Sequence, residues 1–155
     1  MHRHVTLSAV AAELRATGYD AQLHTAAAAA AVYPGARAEL AGKFVAVHGI
    51  CVLGWRYPDG RWRFVDRPAV VVPVPDSPAP QWRCDHGLAV RRPTLAAPAS
   101  AREVAAWVSD QLGPPDEPQC LLHRHIDDAG DDTDGHVPES WRSAWLDYLH
   151  ARRAV

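Results

Sequence analysis

The run "CLLHRHIDD" sets Cys120, His123 and His125 close together, and upstream "CDH" adds Cys84 and His86. Thiolates and neutral imidazoles are the donors that hold Zn²⁺, and four of these five residues would complete a tetrahedral Cys/His site if the two segments lay side by side. Neither segment carries the paired-cysteine knuckle of a zinc ribbon or finger. On a strand Cys120 and His123 point to opposite faces while His123 and His125 share one, so a single sphere would more easily use the two histidines with a residue from elsewhere. The plain alternative is a core thiol beside a polar strand face. The sequence therefore implies no cofactor, with zinc as the alternative.

A second constellation is "WRYPDGRWRF", in which Trp55, Arg56, Tyr57, Arg61, Trp62 and Arg63 flank a turn. Asp59-Gly60 as a two-residue turn would set Arg56 opposite Arg63, like charges across a ladder. Pro58 favours a type I turn with glycine in the left-handed position and a G1 bulge. Tyr57 then faces Arg61, Trp55 faces Arg63 and Arg56 faces Trp62, so each arginine can lie against a ring. We expect that second register. An exposed ladder of rings and arginines suits a protein interface, where Trp, Tyr and Arg dominate the energetics, and it also suits single-stranded nucleic acid. The chain lacks a lysine cluster and any helix-turn-helix or RNA-recognition signature, which ranks nucleic acid below a protein partner.

Nucleophile candidates are Cys84 with His86 and Cys51 with His48, because a thiolate needs a base beside it. There is no G-x-S-x-G elbow, no phosphate loop around "GKF" and no GxGxxG. The acidic run "DDAGDDTDGH" fails as an EF-hand, since aligning Gly135 with the fixed glycine puts Gly130 at the first ligand position and Trp141 at the glutamate position. Asp127, Asp128, Asp131, Asp132 and Asp134 read as a solvated loop over 127–136.

Elements must hold these residues in place. Thr6 can cap a helix bearing Leu7, Val10, Ala11 and Leu14, closed by Gly18. Tyr19 to Thr25 alternates as a half-buried strand, and Ala26 to Ala31 suits a short helix. From about 44 to 74 the chain is rich in β-branched and aromatic residues, with Gly49, Gly54 and "PDG" as breaks, and predicts an antiparallel meander. "PVPDSPAPQW" at 73–82 is too proline-rich for a central strand and reads as a surface connection or sheet edge, with a short strand near Leu88 to Arg91 after it. Ser100 and Glu103 form a capping box for a helix over about 101–112, Cys120 to Ile126 can be a strand, and Pro138 opens a helix over about 138–152 with Trp141, Trp145 and Leu149 stacked on one side.

The order of helix, sheet, helix, strand and helix predicts a single α+β domain over residues 1–155, with helices packed on one face of a mostly antiparallel sheet. The length of 155 residues suffices for one core, and a formal net charge of −2 exerts no general pull on nucleic acid or anionic membrane. No apolar run is long enough to span a bilayer and the amino terminus lacks a secretory h-region, so no membrane partner and a cytoplasmic location are expected. An odd set of three spread cysteines fits a reducing compartment. Lys43 is the sole lysine and asparagine is absent, a bias expected from a GC-rich bacterial genome. Taken together, the residues favour a small soluble binding or regulatory module that acts through protein contacts or as a homodimer, more readily than an enzyme. The Arg/aromatic hairpin is its expected interface, and zinc binding and single-stranded nucleic-acid binding are the alternatives.

Overall fold

The computed structural model describes residues 5–24, 43–74, 78–86, 91–115, 117–118, 120–134 and 138–153. The alanine run expected as a short helix lies outside them. In chain order the elements are α1 (Leu7–Ala16), β1 (Asp20–His24), β2 (Phe44–Arg56), β3 (Trp62–Pro73), β4 (Gln81–Asp85), β5 (Thr94–Ala96), α2 (Ala101–Leu112), β6 (Cys120–Ile126), β7 (Asp132–Asp134) and α3 (Trp141–Arg153). All seven strands among the described residues belong to one sheet of order β5-β4-β3-β2-β6-β7, with β1 also paired to β2.

The long hairpin β2–β3 is the spine of the sheet. One edge of β2 is shared by two strands: β1 runs antiparallel along Phe44 to His48, and β6 runs parallel along Cys51 to Arg56. Between those halves β2 bulges, so that Val47 faces Ala69 while Cys51 faces Arg67. Gly49 sits in the bulge at φ +83°, a backbone state that only glycine adopts cheaply. Two extra residues, an even number, leave the alternation of faces unchanged on either side of the bulge.

Helices cover both faces. Val10, Leu14, Val104, Val108 and Leu112 from α1 and α2 pack on Val45, Val47, Cys51, Val71 and Cys84. On the other face Trp145 and Leu149 of α3 lie against Val52 and Phe64. The one-face arrangement expected from the order of elements is thus corrected, and the reason lies in β2. Phe44 to Val52 is buried at every position, and a strand buried on alternate residues of both parities needs cover above and below. The helix boundaries follow their signals: Thr6 Oγ1 accepts from Ala9 N–H at 3.2 Å, and Ser100 Oγ accepts from Glu103 N–H at 3.1 Å.

Three other expectations shift. Gln81 and Trp82 are not connection but the start of β4, and Trp82 is buried under α2's side of the sheet. The short strand placed near Leu88 appears instead as an isolated bridge between His86 and Arg91 followed by β5, with residues 87–90 outside the described set. The acidic run is a hairpin, with a tight turn at Asp127 to Asp131 leading into β7. Among the described residues no helix is long and apolar enough to cross a membrane.

Candidate interaction site

The β2–β3 turn adopts the register that Pro58 favours. Trp55 pairs with Arg63 and Arg56 with Trp62, while Tyr57 N–H donates to the Arg61 carbonyl at 2.9 Å. Gly60 takes φ +86°, the left-handed residue of the G1 bulge. Asp59 accepts from Arg61 through both the backbone and the guanidinium, and these bonds, the backbone one foremost, hold its carboxyl below the usual range.

Period-two geometry then divides the six hairpin residues between two surfaces. Trp55, Tyr57, Arg61 and Arg63 share the face that α1 and α2 cover farther along the sheet. Arg63 lies over the Trp55 ring at 4.4 Å and Arg61 over Tyr57 at 5.2 Å. Arg56 and Trp62 point to the α3 face, where Trp62 stacks on Phe64 at 5.5 Å and meets His123 at 5.0 Å. Trp62 is therefore part of a packed aromatic cluster, and the six residues do not form one continuous surface. Of the six tryptophans, Trp82 and Trp145 are buried and the other four are half-buried.

The structure adds to the Trp55 face residues that the hairpin motif alone did not mark. Leu53 pairs with Val65 on β3 and with Leu122 on β6, giving an apolar row across three strands. Val65 is 46% exposed and Leu122 42%, so the row is open to solvent. The next row outward is Arg63, Trp55 and Arg124. Asp132 ties this row together: it accepts from Trp55 Nε1 at 3.2 Å and from Arg124 Nε at 2.6 Å. The Arg124 bond, followed by that of Trp55, lowers the Asp132 carboxyl. Alternation in "CVLGWR", with Cys51 inward, was the signal that could have placed Leu53 and Trp55 on one face.

The Cys/His residues are spread apart. Cys84 and His86 belong to β4 and its end, whereas Cys120, His123 and His125 belong to β6, with β3 and β2 between them. Three strand spacings amount to about 14 Å, beyond the reach of one coordination sphere. Cys84 is also packed against α1 and α2, on the face opposite His123. His123 and His125 remain neighbours, with ring centroids 4.5 Å apart, and the Cys120 side chain lies outside the described residues. No group of three His, Cys, Asp or Glu residues gathers among the described residues.

Of the two thiol–imidazole pairs, Cys84 and His86 are both buried, and Cys51 and His48 are split between faces. Burial, with smaller contributions from Asp85 and Cys51, pushes the Cys84 thiol up to about 12, which removes its thiolate at neutral pH. Cys51 faces α1 and α2, while His48 points to the other face, toward Asp66.

That last contact belongs to a network invisible to motif reading. The side chain of Asp66, on β3, is 5% exposed and accepts from His48 Nδ1 at 2.9 Å and Gly49 N–H at 3.0 Å. Arg152, near the end of α3, reaches both Asp66 at 3.3 Å and Asp20 on β1 at 3.0 Å. The Asp66 carboxylate thus fixes the His48 proton on Nδ1. His48 Nε2 and His24 Nε2 are buried with no hydrogen-bond partner among the described residues, and burial, with His48 second, lowers the His24 imidazole. The network joins β1, β2, β3 and α3 and is enclosed, in contrast to the open Trp55 face.

No family model, curated protein or solved structure matches the chain.

Proposed function

We propose that this chain is a non-catalytic binding module that engages a protein through the open sheet face of Leu53, Trp55, Arg63, Val65, Leu122 and Arg124. One observation carries the reading: on a solvent-open stretch of sheet that no described helix covers, an apolar row and a cation–π row lie side by side. Ordinary solvent-facing strands alternate polar residues outward, so two exposed aliphatic side chains flanking Leu53 are a departure that a partner would relieve. Burial of such a row contributes roughly 25 cal/mol per Å² of apolar surface, and a tryptophan braced by an arginine is the residue pair found at interface centres. The arginine is already ordered on the ring, which reduces the entropy lost on binding.

The chemistry of the thiols supports a non-catalytic role, since Cys84 is held protonated in the core and Cys51 is turned away from His48. The test is site-specific crosslinking in the cells that make the protein. A photoreactive side chain at Val65 or Leu122 should yield a discrete protein adduct, and one at Ala12, on the exposed side of α1, should not. Replacing Trp55 and Arg63 together by alanine should remove the adduct while the circular dichroism spectrum stays the same. Adducts of equal yield at Ala12 and Leu122 would overturn the assignment. A single-stranded oligonucleotide that competes with the adduct, and whose affinity falls steeply with salt, would move the same face to nucleic acid.

A further inference from the structure

On the α3 face of the sheet two imidazoles stand together, each with a nitrogen that no described residue satisfies. β1 and β2 are antiparallel, and Asp20, Gln22 and His24 fall on the same face as Phe44, Ala46 and His48. The rings of His24 and His48 meet edge to face with centres 6.2 Å apart, and Phe44 packs on the His24 ring at 5.7 Å. The His48 side chain is 7% exposed and His24 is half-buried. On both rings Nε2 is buried and has no hydrogen-bond partner among the described residues. On His48 that nitrogen is a lone pair, because Asp66 accepts the ring's proton from Nδ1 at 2.9 Å. A buried acceptor without a partner is costly, so an electron-pair acceptor or a proton donor belongs beside it.

We propose that His24 and His48 are the protein ligands of one divalent first-row metal ion, such as Zn²⁺, held through their Nε2 atoms. Neutral imidazole is the commonest ligand for such ions. A ligating histidine donates its other ring N–H to a carboxylate, which fixes its tautomer and orientation, and Asp66 stands in that relation to His48. Metal–nitrogen bonds of about 2.0–2.1 Å let two ring centres that share an ion lie up to about 6.4 Å apart. The observed 6.2 Å is within that limit, and a tetrahedral ion would draw the rings about 1 Å closer. His24 is the last residue of β1 and only half-buried, so it is the ring that can make that movement. Charge also favours a cation, since one guanidinium, that of Arg152, is shared by two carboxylates, Asp20 and Asp66. The remaining coordination positions fall to water or to a donor carried by a ligand. Bound there, the ion ties the end of β1 to the bulge of β2. The pair is separate from the Cys/His residues of β4 and β6 and lies on the face opposite Trp55, so it is independent of the binding reading above.

The test is a Zn²⁺ titration of the metal-free full chain, followed by NMR of the histidine ring nitrogens. One equivalent should shift Nε2 of His24 and of His48 together, while His48 Nδ1 keeps its proton. By calorimetry Asp66→Asn, which removes the carboxylate behind the ligand, should weaken binding about 10–100-fold, and His24→Ala, which removes a ligand, by more. Zn²⁺ should raise the thermal midpoint of the natural chain and leave that of His24→Ala where it was. His2→Ala with His4→Ala, which takes away the amino-terminal imidazoles, should change none of this. Ring nitrogens of His24 and His48 that stay unchanged in excess Zn²⁺, whether or not other histidines shift, would overturn the proposal and leave the pair to a bridging water. Binding that survives His24→Ala at full strength, or that disappears in His2→Ala with His4→Ala, would overturn it as well by placing the ion elsewhere.

Discussion

Two arginine clusters on opposite faces of one sheet use the same residue in contrary ways. Arg152 is drawn under the end of α3, between Asp20 and Asp66, and shares Asp66 with His48 and Gly49. Arg63 and Arg61 stand in solvent against Trp55 and Tyr57, and the Arg61 side chain is 74% exposed. The first is largely enclosed, so its energy is internal: removing one member leaves buried polar groups short of a partner. The second lies on rings at the surface, with Arg61 also held by Asp59, so the chain loses little if it is removed and a partner loses a contact. Arginine content alone does not separate structure from recognition; enclosure does.

The largest effect should come from Asp66→Ala, which takes the acceptor from His48 Nδ1 and Gly49 N–H and leaves Arg152 with Asp20 alone. A buried donor left without its acceptor costs about 1–3 kcal/mol, and two are orphaned here; the measure is the midpoint of urea unfolding. A loss under about 1 kcal/mol would mean that the network is surface-like and would collapse the contrast. Crosslinking through Leu122 should persist in that variant wherever it remains folded.

Next in size is the response to acid. Burial pushes the Asp20 carboxyl up, but the guanidinium of Arg152, then Gln22 and His48, outweigh it and hold the group below the usual carboxylate range. A folded-state value below the unfolded one, which is about 3.9, gives stability that is fully present above that pH and lost as pH falls through the lowered folded value. Asp20→Asn should cost on the order of 1–2 kcal/mol at neutral pH and flatten the loss of stability below about pH 4. An unchanged acid limb would place the acid sensitivity elsewhere.

What the sequence discloses divides along the same line. The hairpin register was legible because Pro58, Asp59 and Gly60 act on each other locally, and the helix starts at Thr6 and Ser100 were legible for the same reason. Strand β4 was hidden by the prolines before it, since their exclusion from central strands says nothing about where the next strand begins. The enclosed network was hidden by distance along the chain: Asp20, His48, Asp66 and Arg152 meet only after β1, β2, β3 and α3 assemble. A partial signal was present in "WRFVDR". With Phe64 inward, Asp66 falls on the same inward parity, and an inward carboxylate requires a donor from somewhere. The open face was half legible, since Trp55 and Arg63 stood out while Val65 and Leu122 became notable only once β6 was placed beside β2.

The smallest effect sharpens the contrast most. In a double-mutant cycle of Trp55→Ala and Arg63→Ala, the coupling in the free chain should be about 0.5–1 kcal/mol, the range of an exposed cation–π pair. The same cycle read out on partner crosslinking should show a much larger coupling, because burial of the pair in an interface removes the water that weakens it. Equal couplings in the two readouts would mean that the arginine stays in solvent when the face is occupied and only braces the ring. A coupling near zero in the free chain with a large one in the complex would mean that the partner, and not the hairpin, sets the arginine in place. The enclosed cluster admits no such divergence, since Arg152 and Asp66 face one another inside the chain whatever binds outside.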